Sequence, residues 1–166
     1  MRPRSRLGNI KTIGGEKLMK LSPIGLQIRL MAEGDYRHVY RLYRQLTGMG
    51  TPCGEKEFTR IFNKFLNTND REAYVATVYD RIIGFVTLYY FEAFHYSGPV
   101  ASIQELVVTE EFRGRGVGKA LVEFVKEKVC EKHCRGLEVA TDLWQSGAKS
   151  FYERCGLIGK TLVLAN

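Results

Sequence analysis

Glu105–Val125 reads ELVVTEEFRGRGVGKALVEFV, and a change of period inside it decides the fold. Its first residues close the segment ASIQELVV (101–108), short and apolar as a buried strand is. Its last residues begin a helical face of Val117, Leu121, Phe124 and Val125 that continues to Val129. Between the two lie Gly114, Gly116 and Gly118, interleaved with Arg113 and Arg115 and followed by Lys119. A glycine at the mouth of a helix lets the backbone approach a ligand with no Cβ in the way. The amides of the first helical turn have no intrahelical acceptor and sit at the positive end of the helix dipole. A phosphate or pyrophosphate could accept several of them at once, with the basic side chains adding attraction. It is not a P-loop, because Lys119 is followed by Ala120 where Ser or Thr is needed. Nor is it the GxGxxG dinucleotide turn, since the third glycine comes one position early. The plainer alternative is a glycine turn that serves only close helix–sheet packing.

Working outward, GLQIRLM (25–31) alternates as a first strand, and Asp35 is placed to cap a helix with Val39, Leu42 and Leu46 on one face. TGMGTPCG (47–54) breaks that helix. Phe58, Ile61, Phe62 and Phe65 then recur at helical spacing. AYVATVYD and RIIGFVTLYYF pair as a hairpin turning at Asp80-Arg81, and the glycine turn and its helix follow ASIQELVV. GLEVAT (136–141) is a strand, Ala148, Phe151 and Tyr152 mark a short helix, and KTLVLAN (160–166) is a final strand. The order is strand, two helices, three strands, helix, strand, helix, strand. It predicts an α/β (α+β) fold with a mixed, mostly antiparallel central sheet and helices on both faces.

A chain of 166 residues suits one domain. The formal charge of +7 is uneven: residues 1–20 hold six Lys/Arg against one acid, leaving 19 basic and 17 acidic residues for 21–166. Residues 1–20 therefore read as a basic, flexible leader and 21–166 as the single domain, whose near balance gives little support to a nucleic-acid partner. No window is long and apolar enough for a membrane span, and no apolar run stands behind the N-terminal arginines as a signal peptide requires. Cys53, Cys130, Cys134 and Cys155 suit a reducing, cytoplasmic setting without pairing. Cys130 and Cys134, with His133, read as thiols on a helix and not as a zinc site, so no metal is expected.

The quoted segment, with FYERCGL (151–157) about thirty residues on, resembles the GCN5-related N-acetyltransferase (GNAT) superfamily. Arg113, Gly116 and Gly118 meet its Arg/Gln-x-x-Gly-x-Gly/Ala signature, and Leu106, Val107 and Val108 match the triplet that ends the preceding strand. Ala148, Phe151, Tyr152, Glu153 and Gly156 match the later motif, in which Gln145 replaces the usual Asn and Leu157 the last aromatic.

The resemblance implies the acyl-CoA N-acyltransferase fold over about residues 24–165, with a parallel strand pair that splays apart. It implies acetyl-CoA as acetyl donor, its pyrophosphate on the amides of Arg113, Gly114, Arg115, Gly116, Val117 and Gly118 beside Lys119. The pantetheine arm would lie along Leu106, Val107 and Val108, near Gln145 and Tyr152. The Val108 N–H would polarise the thioester carbonyl and Tyr152 would protonate the sulfur, with Glu105 as candidate base, taking the ammonium's proton through a water or simply attracting it, and ordered water alone as the alternative. Glu105 can equally be structural. A primary amine would attack in a ternary complex. The reading leans to a small molecule such as a polyamine or amino sugar, and a peptide amine stays open. Asp142 and Trp144, and an aromatic wall of Tyr89, Tyr90, Phe91, Phe94, His95 and Tyr96 with Glu92, are candidate acceptor contacts. A homodimer is also implied. A non-catalytic coenzyme-binding regulator is the rival reading.

Overall fold

The computed structural model describes residues 25–46, 53–139 and 146–158. The expected strand 160–166, residues 140–141 of the fifth strand, Gln145, Asp142, Trp144 and the leader lie outside them. Within them β1 (Leu26–Leu30), α1 (Tyr36–Tyr43), α2 (Glu55–Asn67), β2 (Arg71–Val78), β3 (Arg81–Ala93), β4 (Gly98–Val108), α3 (Val117–Glu131), β5 (Gly136–Val139) and α4 (Ser146–Arg154) follow in the expected order. The strands lie in the order β1-β2-β3-β4-β5, antiparallel up to β4 and parallel between β4 and β5.

Each face of the sheet has its own core. On one face Leu121, Val122 and Val125 of α3 are fully buried against Ile28, Val86 and Ile103. On the other, Val39 and Leu42 of α1 and Phe58 and Phe62 of α2 pack on Val75, Phe85 and Val107. The mixed sheet with helices on both faces is thus as the sequence predicts.

Several local expectations need correcting. The β2–β3 hairpin turns at Tyr79-Asp80, not Asp80-Arg81. Both turn residues have positive φ, 47° and 62°, and Val78 pairs with Arg81, the geometry of a two-residue type I′ turn built without Asn-Gly. Asp35 stands at the N-cap position of α1, as expected, but its side chain makes no capping hydrogen bond to that helix. Its carboxylate, buried, accepts two bonds from Arg29 at 2.7 and 2.8 Å and one from the Ala32 amide at 2.8 Å, tying the α1 entrance to β1. Burial alone would raise its pKa, but these donors outweigh it and hold the carboxyl below the ordinary value. Leu46 lies beyond the end of α1. Cys134 lies beyond α3, whose end is marked by His133 in the left-handed region (φ 53°), and Cys130 is exposed.

The feature that shapes the rest is a bulge in β4. Val86 pairs with Leu106 and Leu88 with Ile103, so Gln104 and Glu105 together oppose the single residue Thr87. The parallel ladder to β5 runs from Val100 to Ile103 and, among the described residues, goes no further than the bulge.

Candidate active site

Beyond the bulge, no strand among the described residues bonds the edge of β4 that faces β5. The Thr109 amide donates to the Ile83 carbonyl at 2.8 Å, which makes Thr109 and, two residues back, Val107 the residues bonded to β3. By the same alternation Leu106 and Val108 aim their N–H and C=O groups towards the β5 side. The Val108 carbonyl is taken by Arg113, whose Nε donates to it at 3.0 Å, leaving the Val108 N–H and both Leu106 groups facing the gap.

Directly above lies a cleft of about 760 Å³. Leu106 and Val108 form its floor, Arg113, Gly114, Gly116, Gly118 and Lys119 one wall, and Ala148, Phe151 and Tyr152 of α4 the other. Phe112, Gly147 and Arg154 complete it and were not foreseen; only their place beside the two motifs could have suggested them. The first α3 amide with a backbone acceptor among the described residues is that of Ala120, bonded to the Gly116 carbonyl at 2.9 Å. The amides ahead of it, from Gly116 to Lys119, have none of that kind.

The three glycines divide two kinds of work. Gly114 and Gly116 have φ of 72° and 83°, and open space stands where a Cβ would project, so they supply backbone shape and access. At Gly118 a Cβ would meet the Phe151 ring at 3.2 Å, so this glycine lets α4 close on α3. Open backbone at Gly114 and Gly116 and a packing contact at Gly118, features of the two alternatives left open by the sequence, thus stand side by side in one segment.

Tyr152 is buried at the cleft wall with Phe151 edge-on at 5.0 Å. Burial, with a smaller contribution from Cys155, pushes its phenol up to about 12, so it is protonated at neutral pH. Three expected coenzyme contacts are not cleft-lining side chains. Val107 is buried in the α1–α2 core, Val117 is buried beneath the turn, and Arg115 lies 5.5 Å over the Phe112 ring.

Glu105 points away from the cleft, through the sheet. With Thr87 and Phe85 of the sheet it forms the floor of a second, smaller pocket of about 80 Å³ beneath α1 and α2, whose walls include Phe58, Phe62 and Phe65. Its carboxylate accepts a short bond from the Thr87 hydroxyl, and its own amide donates to the same oxygen at 3.0 Å, so Thr87 fills the bulge from both sides. Burial raises the Glu105 pKa, only partly offset by that hydroxyl, and no cation is among the causes. Tyr43 lines the same pocket and accepts a hydrogen bond from the Cys53 amide at 2.8 Å.

The expected aromatic wall is not assembled. Tyr90 donates to Glu72 at 2.7 Å on the α3 side of the sheet, Phe91 and Phe94 are exposed, and Tyr96 packs on Gly136 with His95 beside it. Only Tyr89 adjoins the second pocket, edge-on to Phe65 at 5.4 Å and capped by Arg71 at 4.7 Å. Among the described residues no three of His, Cys, Asp or Glu form a metal-ligand cluster, and no helix is long and apolar enough to cross a membrane.

Comparison with known proteins agrees with this architecture. The Acetyltransferase (GNAT) family matches residues 36–157, well over half of the chain. An uncharacterized N-acetyltransferase of Methanocaldococcus jannaschii is 31% identical over 114 residues, 66% of this chain and 49% of that protein. The chain spans about half, or less, of the length of the curated relatives it matches. Among solved structures, a transcriptional regulator from Bacillus halodurans C-125 superimposes with a TM-score of 0.78 at 24% identity, covering 85% of this chain and 98% of that one. Glucosamine-6-phosphate N-acetyltransferase from Arabidopsis thaliana gives 0.70 at 25% identity, covering 85% and 97%.

Proposed function

The chain belongs to the GNAT family of acetyltransferases, and on that premise we propose that it transfers the acetyl group of acetyl-CoA to the primary amine of a small molecule, by direct attack with both substrates bound. One observation carries the reading: among the described residues, the edge of β4 at Leu106 and Val108 that no strand pairs, the amides at the head of α3 that no backbone acceptor takes and the Tyr152 side chain all adjoin one cleft.

The residues fit a pyrophosphate followed by an amide-rich arm. The Gly116–Lys119 amides take the phosphates, with Lys119 and Arg115 adding positive charge. Arg113, committed to the Val108 carbonyl, shapes the turn. The Leu106 N–H and C=O pair with the arm as a neighbouring strand would. When bound, the coenzyme supplies a thioester, whose carbonyl oxygen receives the Val108 N–H where negative charge builds. Tyr152, protonated and beside the same gap, donates its proton to the departing sulfur. Glu105 lies three residues back along the strand, roughly 10 Å from Val108. It takes the proton of the incoming ammonium through a water, from the opposite face of the sheet. Residues 1–20 as a leader outside the domain, a homodimer and a cytoplasmic setting belong to the same reading.

Calorimetric titration with acetyl-CoA, followed by thiol release over a panel of amines, tests it. Saturable binding and amine-dependent release are expected. An absence of binding overturns the reading, and tight binding without release over the whole panel would leave a coenzyme-binding regulator instead.

A further inference from the structure

The pocket on the α1–α2 side has a composition of its own. Val39, Phe58, Ile61, Phe62 and Phe65 form its apolar walls, and among the described residues that line it Glu105 is the only carboxyl. Nearby acids are already engaged: Asp70 pairs with Arg71 at 2.6 Å and Glu57 with Arg60 at 2.5 Å. Arg71 also stacks on the Phe65 and Tyr89 rings, 5.9 and 4.7 Å from their centres, which puts a cation at the rim beside those rings. A polyamine or an aminoglycoside brings several ammonium groups, and an amino sugar several hydroxyls. Among the described lining residues one carboxyl is available to them; the polar groups beside it are the Thr87 hydroxyl, already bonded to Glu105, the Tyr43 hydroxyl, which accepts from the Cys53 amide, and Cys53, in a wall that is otherwise apolar. The volume, about 80 Å³, far exceeds the one-water minimum of roughly 10–15 Å³ and is about half that of an engineered cavity of ~150 Å³ that takes benzene. It fits a short alkyl group.

We propose that this pocket receives a compact apolar group of the acceptor, so that the acceptor is a primary amine with a short, uncharged alkyl tail seated between Phe58, Phe62 and Phe65 and its nitrogen directed past Glu105 towards the gap beside β4, within reach of that carboxyl through a water. The proposal rests on the acetyl-transfer reading and narrows its substrate class. Beside this low-polarity floor one ammonium can be offset by the Glu105 carboxylate, whereas a second cation would be left without a partner.

Thiol release by the full chain is measured with ethylamine, propylamine, isobutylamine and isopentylamine, and with spermidine and glucosamine. The expected kcat/KM rises about fourfold for each added methylene, up to the length that fills the pocket. Spermidine and glucosamine fall below isobutylamine. Phe65→Ala, which enlarges the pocket, moves the optimum to longer or aryl-bearing amines, a shift of preference that a general loss of packing does not produce. A flat response to chain length, or a preference for spermidine, overturns the proposal while acetyl-CoA binding leaves the acetyl-transfer reading standing. If acetyl-CoA does not bind, thermal-shift titration with the same alkylamines alone still decides: protection that grows with tail length sustains the pocket assignment, and equal effects of all amines remove it.

Discussion

The cleft at the head of α3 and the pocket beneath α1 and α2 open on opposite faces of the same strand, yet they are made of different materials. The cleft is chiefly backbone: amides released by a helix start, strand groups released by a bulge, and two glycines in left-handed geometry. The pocket is chiefly side chain, with aromatic rings from α2 over one buried carboxyl. Backbone recognition tolerates much variation in sequence but not a Cβ or a charge at the wrong place. Side-chain recognition can be retuned one residue at a time. The division suits a protein whose donor is fixed by its family and whose acceptor is its own.

The sharpest way to break this comparison is to place a carboxylate in the backbone site. Gly116→Glu forces a side chain onto a residue with φ of 83° and projects negative charge into open space where the phosphates are expected. At about 4 Å and surface-like screening, repulsion of ~4 kcal/mol corresponds to roughly a thousandfold loss of acetyl-CoA affinity by calorimetry. Alkylamine binding in the opposite pocket should stay within about twofold on the same energy scale. Unchanged coenzyme affinity would move the phosphates off this turn.

A smaller effect separates chemistry from binding within the cleft. Tyr152→Phe keeps the ring against Phe151 and removes the proton donor. Turnover should fall about 100-fold or more while the acetyl-CoA dissociation constant stays within about twofold. Equal turnover by the two proteins would take Tyr152 out of the acid role.

The same division explains what was legible in the sequence. The glycine turn was readable because positive φ at Gly114 and Gly116 and a helix start leave a local mark, and Tyr152 because its motif follows at a fixed distance. The sheet followed from strand periodicity and order. The bulge at Gln104-Glu105 was not readable, because it exists only in the register of β4 against Thr87, a residue eighteen positions away. Phe58, Phe62 and Phe65 show helical spacing whether they fill a core or line a pocket, so their second role depends on the space left above Thr87 and Glu105. The aromatic cluster from Tyr89 to Tyr96 misled for the complementary reason. Neighbours in sequence are split by strand alternation and the hairpin end between two faces and the solvent.

The finest test asks whether Glu105 is as isolated as the pocket implies. Its carboxyl is held above its ordinary value of 4.5 by burial, with Thr87 the only group offsetting that. A carboxyl that binds its proton more tightly in the fold than in the unfolded chain stabilises the fold fully below the unfolded value. That contribution disappears as pH climbs through the folded value, above which the protein carries a buried charge. Glu105→Gln keeps the shape and has no such charge. Its melting temperature should match that of the parent below the ordinary carboxyl value of 4.5 and exceed it increasingly as pH rises from there into the neutral range, with each kcal/mol worth about 2–4 °C in a domain of this size. A difference constant across that range would mean that Glu105 finds a cation or water enough to ionise normally. The α1–α2 pocket would then be a polar site, and the contrast between the two faces would fail at its floor.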